Sequence, residues 1–215
     1  MSRDAILADI RAALGRSPGA AVLPIPASAR VPPRRAGDPN VELEMLLDEI
    51  GKVGGKTQVL AEGGLADALA ALVEAEGIKK ATCWQTPMLQ ALRVEQLLRE
   101  LGVEVVSPFA GKEALAACNL GVTGVDAAFP ETGTLLLRGA AADRPRMVSL
   151  LPRVHLALLS PQALRADLSP AFAEIKGEGY FVFVTGPSRT ADIELTVTIG
   201  VHGPQALYVW VLPQG

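Results

Sequence analysis

The chain is poor in the residues that build redox and metal centres. It has two cysteines, Cys83 and Cys118, and two histidines, His155 and His202. Two cysteines cannot form a disulfide framework, and this set cannot supply a four-ligand zinc site or hold an iron–sulfur cluster. Both cysteines read as small buried hydrophobes in a reducing compartment. Excess positive charge is also absent: 20 Lys and Arg stand against 23 Asp and Glu, a formal net charge of −3. That balance gives no overall electrostatic case for nucleic acid or an anionic membrane. No stretch reaches the roughly 20 apolar residues of a membrane span. The opening M-S-R-D-A-I-L-A-D-I-R lacks the apolar run of a signal peptide, so the expected location is the cytoplasm. Aromatics make up only 4% of the residues, yet 49% are hydrophobic, an Ala/Leu/Val-rich composition that suits a globular core.

Two regions follow from the pattern. Residues 1–40 read as an N-terminal helix and a proline-rich arm. Ser2 is a helix cap, Ile6, Ile10 and Leu14 recur at a spacing of four, and Gly15 ends the helix. The prolines from Pro18 to Pro39 then favour extended chain. Residues 41–215 read as one α/β domain. Leu43, Leu46, Leu47 and Ile50 form a helical stripe, and strands are expected at 57–61, 80–84 and 103–106. Helices are expected at 65–76, from Thr86 to about Leu101, and at 111–118. Such alternation argues for a parallel sheet between helices. Further strands are expected at 135–137, 153–160, 180–185 and 206–212, with a helix near 161–174.

Two polar, glycine-containing segments can carry chemistry. In the first, Gly121, Gly124 and Gly133 allow tight turns, and Asp126, Glu131, Thr132 and Thr134 offer carboxylates and hydroxyls beside the L-L-L strand. Glu131 has the chemistry of a base, a nucleophile or an acceptor for ligand hydroxyls. The alternative is a turn whose side chains bond their own backbone. In the second segment, Thr185 and Ser188 offer hydroxyls and Gly186 an uncovered amide. Arg189 offers a fork for a carboxylate or phosphate. The alternative there is a capped turn in which Arg189 pairs with Asp192 or another acid. His155, in an alternating strand, and His202, in a turn, are each either proton carriers near neutral pH or hydrogen-bonded structural residues. The arginines of R-P-R (144–146) and S-L-L-P-R (149–153) read as a basic loop on a solvated surface.

Three strings extend this reading. G-V-T-G-V-D-A-A-F-P-E-T-G-T-L-L-L (121–137), S-L-L-P-R-V-H-L-A-L-L (149–159) and T-G-P-S-R-T-A-D-I-E-L-T-V-T-I-G-V-H-G-P (185–204) resemble, in order and spacing, the LutC family of lactate utilisation proteins, with its LUD or YkgG-like domain. The resemblance implies a three-layer α/β/α fold with a largely parallel sheet, like the NagB/RpiA/CoA-transferase group. It also implies a part in oxidising L-lactate to pyruvate, as the component without clusters. Partner subunits would carry the iron–sulfur clusters, and this chain would hold no cofactor and no metal. The site implied has Glu131 as its catalytic candidate, with Asp126, Thr132, Gly133, Thr134, Thr185, Gly186, Ser188, Arg189 and Asp192 binding a small carboxylate or nucleotide-like ligand. Fold analogy alone supplies an alternative, a stand-alone CoA-transferase-like or isomerase-like enzyme using Glu131.

Overall fold

The computed structural model describes residues 2–16, 32–139, 143–174, 179–191, 197–200 and 202–213. The chain divides into two compact units, Met1–Pro32 and Pro33–Gly215. In the first, helix α1 (Arg3–Ala13) is capped by the Ser2 hydroxyl, which accepts from the Ala5 amide. Its apolar stripe of Ile6 and Ile10, with Leu14 just beyond, is exposed. The proline-rich stretch expected after it lies mostly outside the described residues.

The second unit starts with a strap held by one buried acid. Asp38 caps helix α2 (Pro39–Lys52), whose first residue is the proline that best tolerates that position. Glu42 of α2 is buried and accepts two 2.7 Å bonds from the Arg34 guanidinium and a 2.8 Å bond from the Gly37 amide. The hydrogen-bonded Arg34 guanidinium holds the Glu42 carboxyl below the usual carboxylate range. Alternation then proceeds as strand β1 (Lys56–Val59), helix α3 (Leu65–Glu76) and strand β2 (Lys80–Cys83). The helix expected from Thr86 to Leu101 is two helices, α4 (Pro87–Ala91) and α5 (Val94–Glu100), because Arg93 takes a left-handed backbone conformation between them. Strand β3 (Glu104–Val106) and helix α6 (Lys112–Ala116) follow.

The glycine-rich run is where the structure departs most from expectation. Leu120–Gly124 is strand β4, buried at every residue. After it come strand β5 (Ala127–Phe129), a 3-10 turn at Pro130–Thr132, strand β6 (Thr134–Gly139) and helix α7 (Met147–Leu150). Strand β7 (Val154–Leu159), helix α8 (Leu168–Glu174), strand β8 (Tyr180–Val184), strand β9 (Arg189–Ala191), strand β10 (Val197–Ile199) and strand β11 (Ala206–Val211) complete the order. Where one helix was expected near 161–174, a 3-10 turn at Pro161–Ala163 precedes α8.

Six strands form one sheet in the order β1-β11-β7-β4-β2-β3, and every pairing in it is parallel. One face carries Ala81, Cys83, Leu120, Val122, Leu156 and Leu158 against Leu69, Leu72 and Leu98 of the helices. On the other face, Ala157, Leu159, Leu207, Val209 and Val211 pack against Leu46 and Ile50 of α2 and against Leu135. Leu135 belongs to a second, antiparallel sheet, β5-β6-β8. The fold is thus a layered α/β arrangement around a parallel sheet, and both faces of its central strands are buried, as parallel sheets require.

Candidate functional site

In-register partners of a parallel sheet point to the same face. Gly121 of β4, His155 of β7 and Leu207 of β11 are such a row. Gly121 has no side chain there for a reason: a Cβ would lie 1.9 Å from the Val148 carbonyl of α7. The missing atom lets α7, with Val148 and Ser149, settle on the sheet. Thr123, two residues further along β4, faces the same way, and its Oγ1 lies 2.9 Å from His155 Nε2. Both residues are buried, and burial alone pushes the imidazole down to about 4, so the ring is neutral at physiological pH.

The antiparallel sheet brings the two polar segments to one place. Thr132 Oγ1 donates to Thr134 Oγ1 at 2.8 Å, and Thr134 Oγ1 lies 2.8 Å from Thr185 Oγ1, just past the end of β8. A chain of three hydroxyls therefore links the turn after β5 to the loop after β8. The C-terminal end of α2 braces both. Gly133, at φ 60°, leaves no room for a Cβ, which would sit 2.9 Å from the backbone of Glu49 and Ile50. Gly186 packs on Val53, and the Val53 carbonyl accepts a 2.5 Å bond from Arg189 Nη2. Among the described residues no carboxylate pairs with Arg189. Among the described residues the guanidinium is thus oriented without being neutralised.

A cleft of about 400 Å³ opens beside this arrangement. Thr185, Ser188, Arg189 and His202 line it, and Ser149 and His155 contribute buried groups. Ser188 is fixed by both its backbone groups: its amide donates to the Pro204 carbonyl at 2.9 Å, and its carbonyl accepts from the Gly200 amide at 3.0 Å. His155 and Leu207 are the second residues of β7 and β11, so the cleft lies at the N-terminal ends of these parallel strands. Ligands of open parallel sheets usually bind at the opposite ends. Chemically, the described residues of the cleft offer one cation, several hydroxyls and two imidazoles, a set suited to a small anion bearing further oxygen atoms.

Comparisons with known proteins agree with this architecture. The LUD domain family matches residues 43–212. The chain belongs to the LUD domain family. A relative from Shouchella clausii (strain KSM-K16), "Lactate utilization protein C", is 30% identical over 160 residues, 69% of this chain and 69% of that protein. A second, of the same name from Geobacillus kaustophilus (strain HTA426), is 28% identical and spans 98% of this chain and 96% of its own length. The crystal structure of a DUF162 family protein from Deinococcus radiodurans superposes with a TM-score of 0.60 at 18% identity, covering 83% of this chain and 100% of that one, which shows a shared fold.

Within this LUD domain the residues singled out in the sequence fall in separate places. Thr185, Gly186, Ser188 and Arg189 line the cleft, and Thr132 and Thr134 join them through the hydroxyl chain. Glu131 sits exposed on the 3-10 turn, outside the cleft lining, with no hydrogen bond among the described residues. Asp126 is at the far end of the β5–β6 hairpin. It accepts a 2.8 Å bond from the Arg138 amide and a 2.6 Å bond from the Arg144 guanidinium. Asp192 lies outside the described residues. The arginines expected on a solvated loop are engaged instead. Arg144 pairs with Asp126 and lies over the Trp84 ring, and Arg153 binds Glu76 at 2.9 Å. Residue type and strand alternation flagged His155 and His202 without choosing a role for them. Only the tertiary fold brings both to one cleft.

Among the described residues, no helix is long and apolar enough to cross a membrane.

Proposed function

We propose that this chain works in lactate utilisation as the component without iron–sulfur clusters, binding a small anion in the cleft and engaging cluster-bearing partner subunits. The observation that carries the reading is Arg189: oriented by the Val53 carbonyl, free of any described carboxylate, and set beside the Thr132–Thr134–Thr185 hydroxyl chain. Relatives named for lactate utilisation support a short carboxylate as the anion's chemical class. In this role Arg189 holds the carboxylate, and Thr185 and Ser188 bind its oxygens. The iron–sulfur chemistry would belong to the partners, in a cytoplasmic complex.

The test joins genetics with affinity capture. A strain lacking the gene should fail to grow on L-lactate while growing normally on glucose. The tagged chain should recover iron–sulfur proteins from lactate-grown cells. Normal growth on lactate together with recovery of no such partner would overturn the reading. An Arg189→Met chain that complements the deletion fully would remove the cleft from it.

A further inference from the structure

The inner end of the cleft holds a group that an anion site alone does not need. His155 is 1% exposed, yet its ring lines the cleft. Nε2 is held by Thr123, whereas Nδ1 has no partner among the described residues. Nor is Nδ1 one of the fully enclosed orphan atoms, where Thr82 Oγ1 stands alone among the described residues. A buried imidazole with one nitrogen fixed and the other open to a cleft is set up to hydrogen-bond whatever fills it. An acid without an oxygen beyond its carboxylate would strip water from that nitrogen and return nothing, which is the usual basis for rejecting the poorer analogue. Ser149, buried and lining the same cleft, gives its own hydroxyl proton to the Arg146 carbonyl and leaves its oxygen able to accept.

Resting on the reading of the cleft as a carboxylate site, we propose that His155 contacts the ligand and selects acids carrying a hydroxyl or carbonyl oxygen next to the carboxylate. Arg189 holds the charged end, and His155 Nδ1 bonds the neighbouring oxygen. Thr123 is a positioning residue that sets the ring. A 2-hydroxy acid donates to Nδ1, whereas a 2-oxo acid accepts from it once the ring proton sits there. Both are the same recognition chemistry.

Calorimetric titration of the full-length chain with L-lactate, pyruvate and propionate separates the parts. L-lactate or pyruvate should bind at least about tenfold more tightly than propionate, which lacks the oxygen on C2, and the two arms tell which oxygen is read. In His155→Leu the preference should collapse, because the nitrogen that propionate leaves unpaired is no longer there. Thr123→Val should weaken the preference with the fold intact, which keeps the test open if His155→Leu fails to fold. Arg189→Met should abolish binding of all three acids. Equal binding of L-lactate, pyruvate and propionate by the wild-type chain, still dependent on Arg189, would overturn the role of His155 and leave the anion site standing. Binding of none of them would overturn both. A preference kept in both His155→Leu and Thr123→Val would overturn the assignment of His155.

Discussion

Thr134 and Thr185 are 51 residues apart in sequence, and their hydroxyl oxygens lie 2.8 Å apart at the junction of the two polar segments. Thr134 is the more buried of the two, so its hydroxyl depends on protein partners. Valine matches threonine in shape and removes the hydroxyl. Thr134→Val should cost about 1–2 kcal/mol, since Thr132 and Thr185 each lose a bond. Thr185→Val, at an exposed position, should cost about 0.5 kcal/mol. A double-mutant cycle by urea unfolding should give a coupling of about 1 kcal/mol. Strict additivity would show that the bond contributes nothing.

The contact also marks the limit of what the sequence discloses. Local signals sufficed for the Leu46/Ile50 stripe of α2 and for the apolar strands β2, β7 and β11, whereas Asp38 and Pro39, read as part of the extended arm, turn out to cap and open that helix. They failed at β4, because glycines usually mark turns. Gly121 is instead a strand residue that clears space for α7, a requirement set by a segment 27 residues away. They failed again at Arg93, whose left-handed backbone breaks a run with unbroken helical periodicity. In the candidate site, residue types pointed to Thr185, Ser188 and Arg189. Asp126, chosen by the same logic, is taken up by the Arg138 amide and the Arg144 guanidinium at the far end of a hairpin. Which of two polar groups meets a cleft depends on strand register and on which end of the hairpin each occupies, and neither is written locally.

Gly133 offers a controlled comparison with Gly77. Their φ angles are nearly equal, 60° and 59°, so alanine meets the same backbone strain at both. At Gly77 a Cβ finds nothing within 4 Å, whereas at Gly133 it meets the α2 backbone at 2.9 Å. Gly77→Ala should therefore destabilise by about 1 kcal/mol, the strain alone. Gly133→Ala should destabilise by about 3 kcal/mol, since the rigid helix end must move. Thermal unfolding of the two variants checks this. Equal effects would mean that α2 yields freely beside the hydroxyl chain.

Glu42 fastens the Arg34 strap to α2. Replacing it with glutamine keeps the shape but removes the charge that orders the guanidinium, and should cost about 2 kcal/mol near neutral pH. The pH dependence has a fixed direction. The Glu42 carboxyl is held below its ordinary value of 4.5, so its contribution is complete above that value and is lost as pH falls through the lower native one. Wild type and Glu42→Gln should therefore converge in stability as pH drops below the carboxylate range. A constant difference down to strongly acid pH would show that the loss comes from packing and not from charge.

His155 titrates on the other side of that window. In the unfolded chain its imidazole has the ordinary value of 6.5, whereas in the native state burial holds it down to about 4. Between those values the unfolded chain binds a proton that the native chain refuses, so stability falls with falling pH. The stabilisation is fully present above 6.5 and lost progressively towards pH 4, by about 3 kcal/mol at 1.36 kcal/mol per unit. Glu42 contributes its own loss only lower down, which separates the two. His155→Gln keeps a hydrogen-bonding group near Thr123 but cannot titrate. Its urea-unfolding free energy should therefore be flatter than that of wild type between pH 7 and pH 5, whatever its absolute stability. Parallel curves would mean that the native ring takes up its proton as readily as the unfolded one. The cleft would then present a cation at His155 in that range, and the recognition of an uncharged oxygen there would give way to simple charge pairing with the acid.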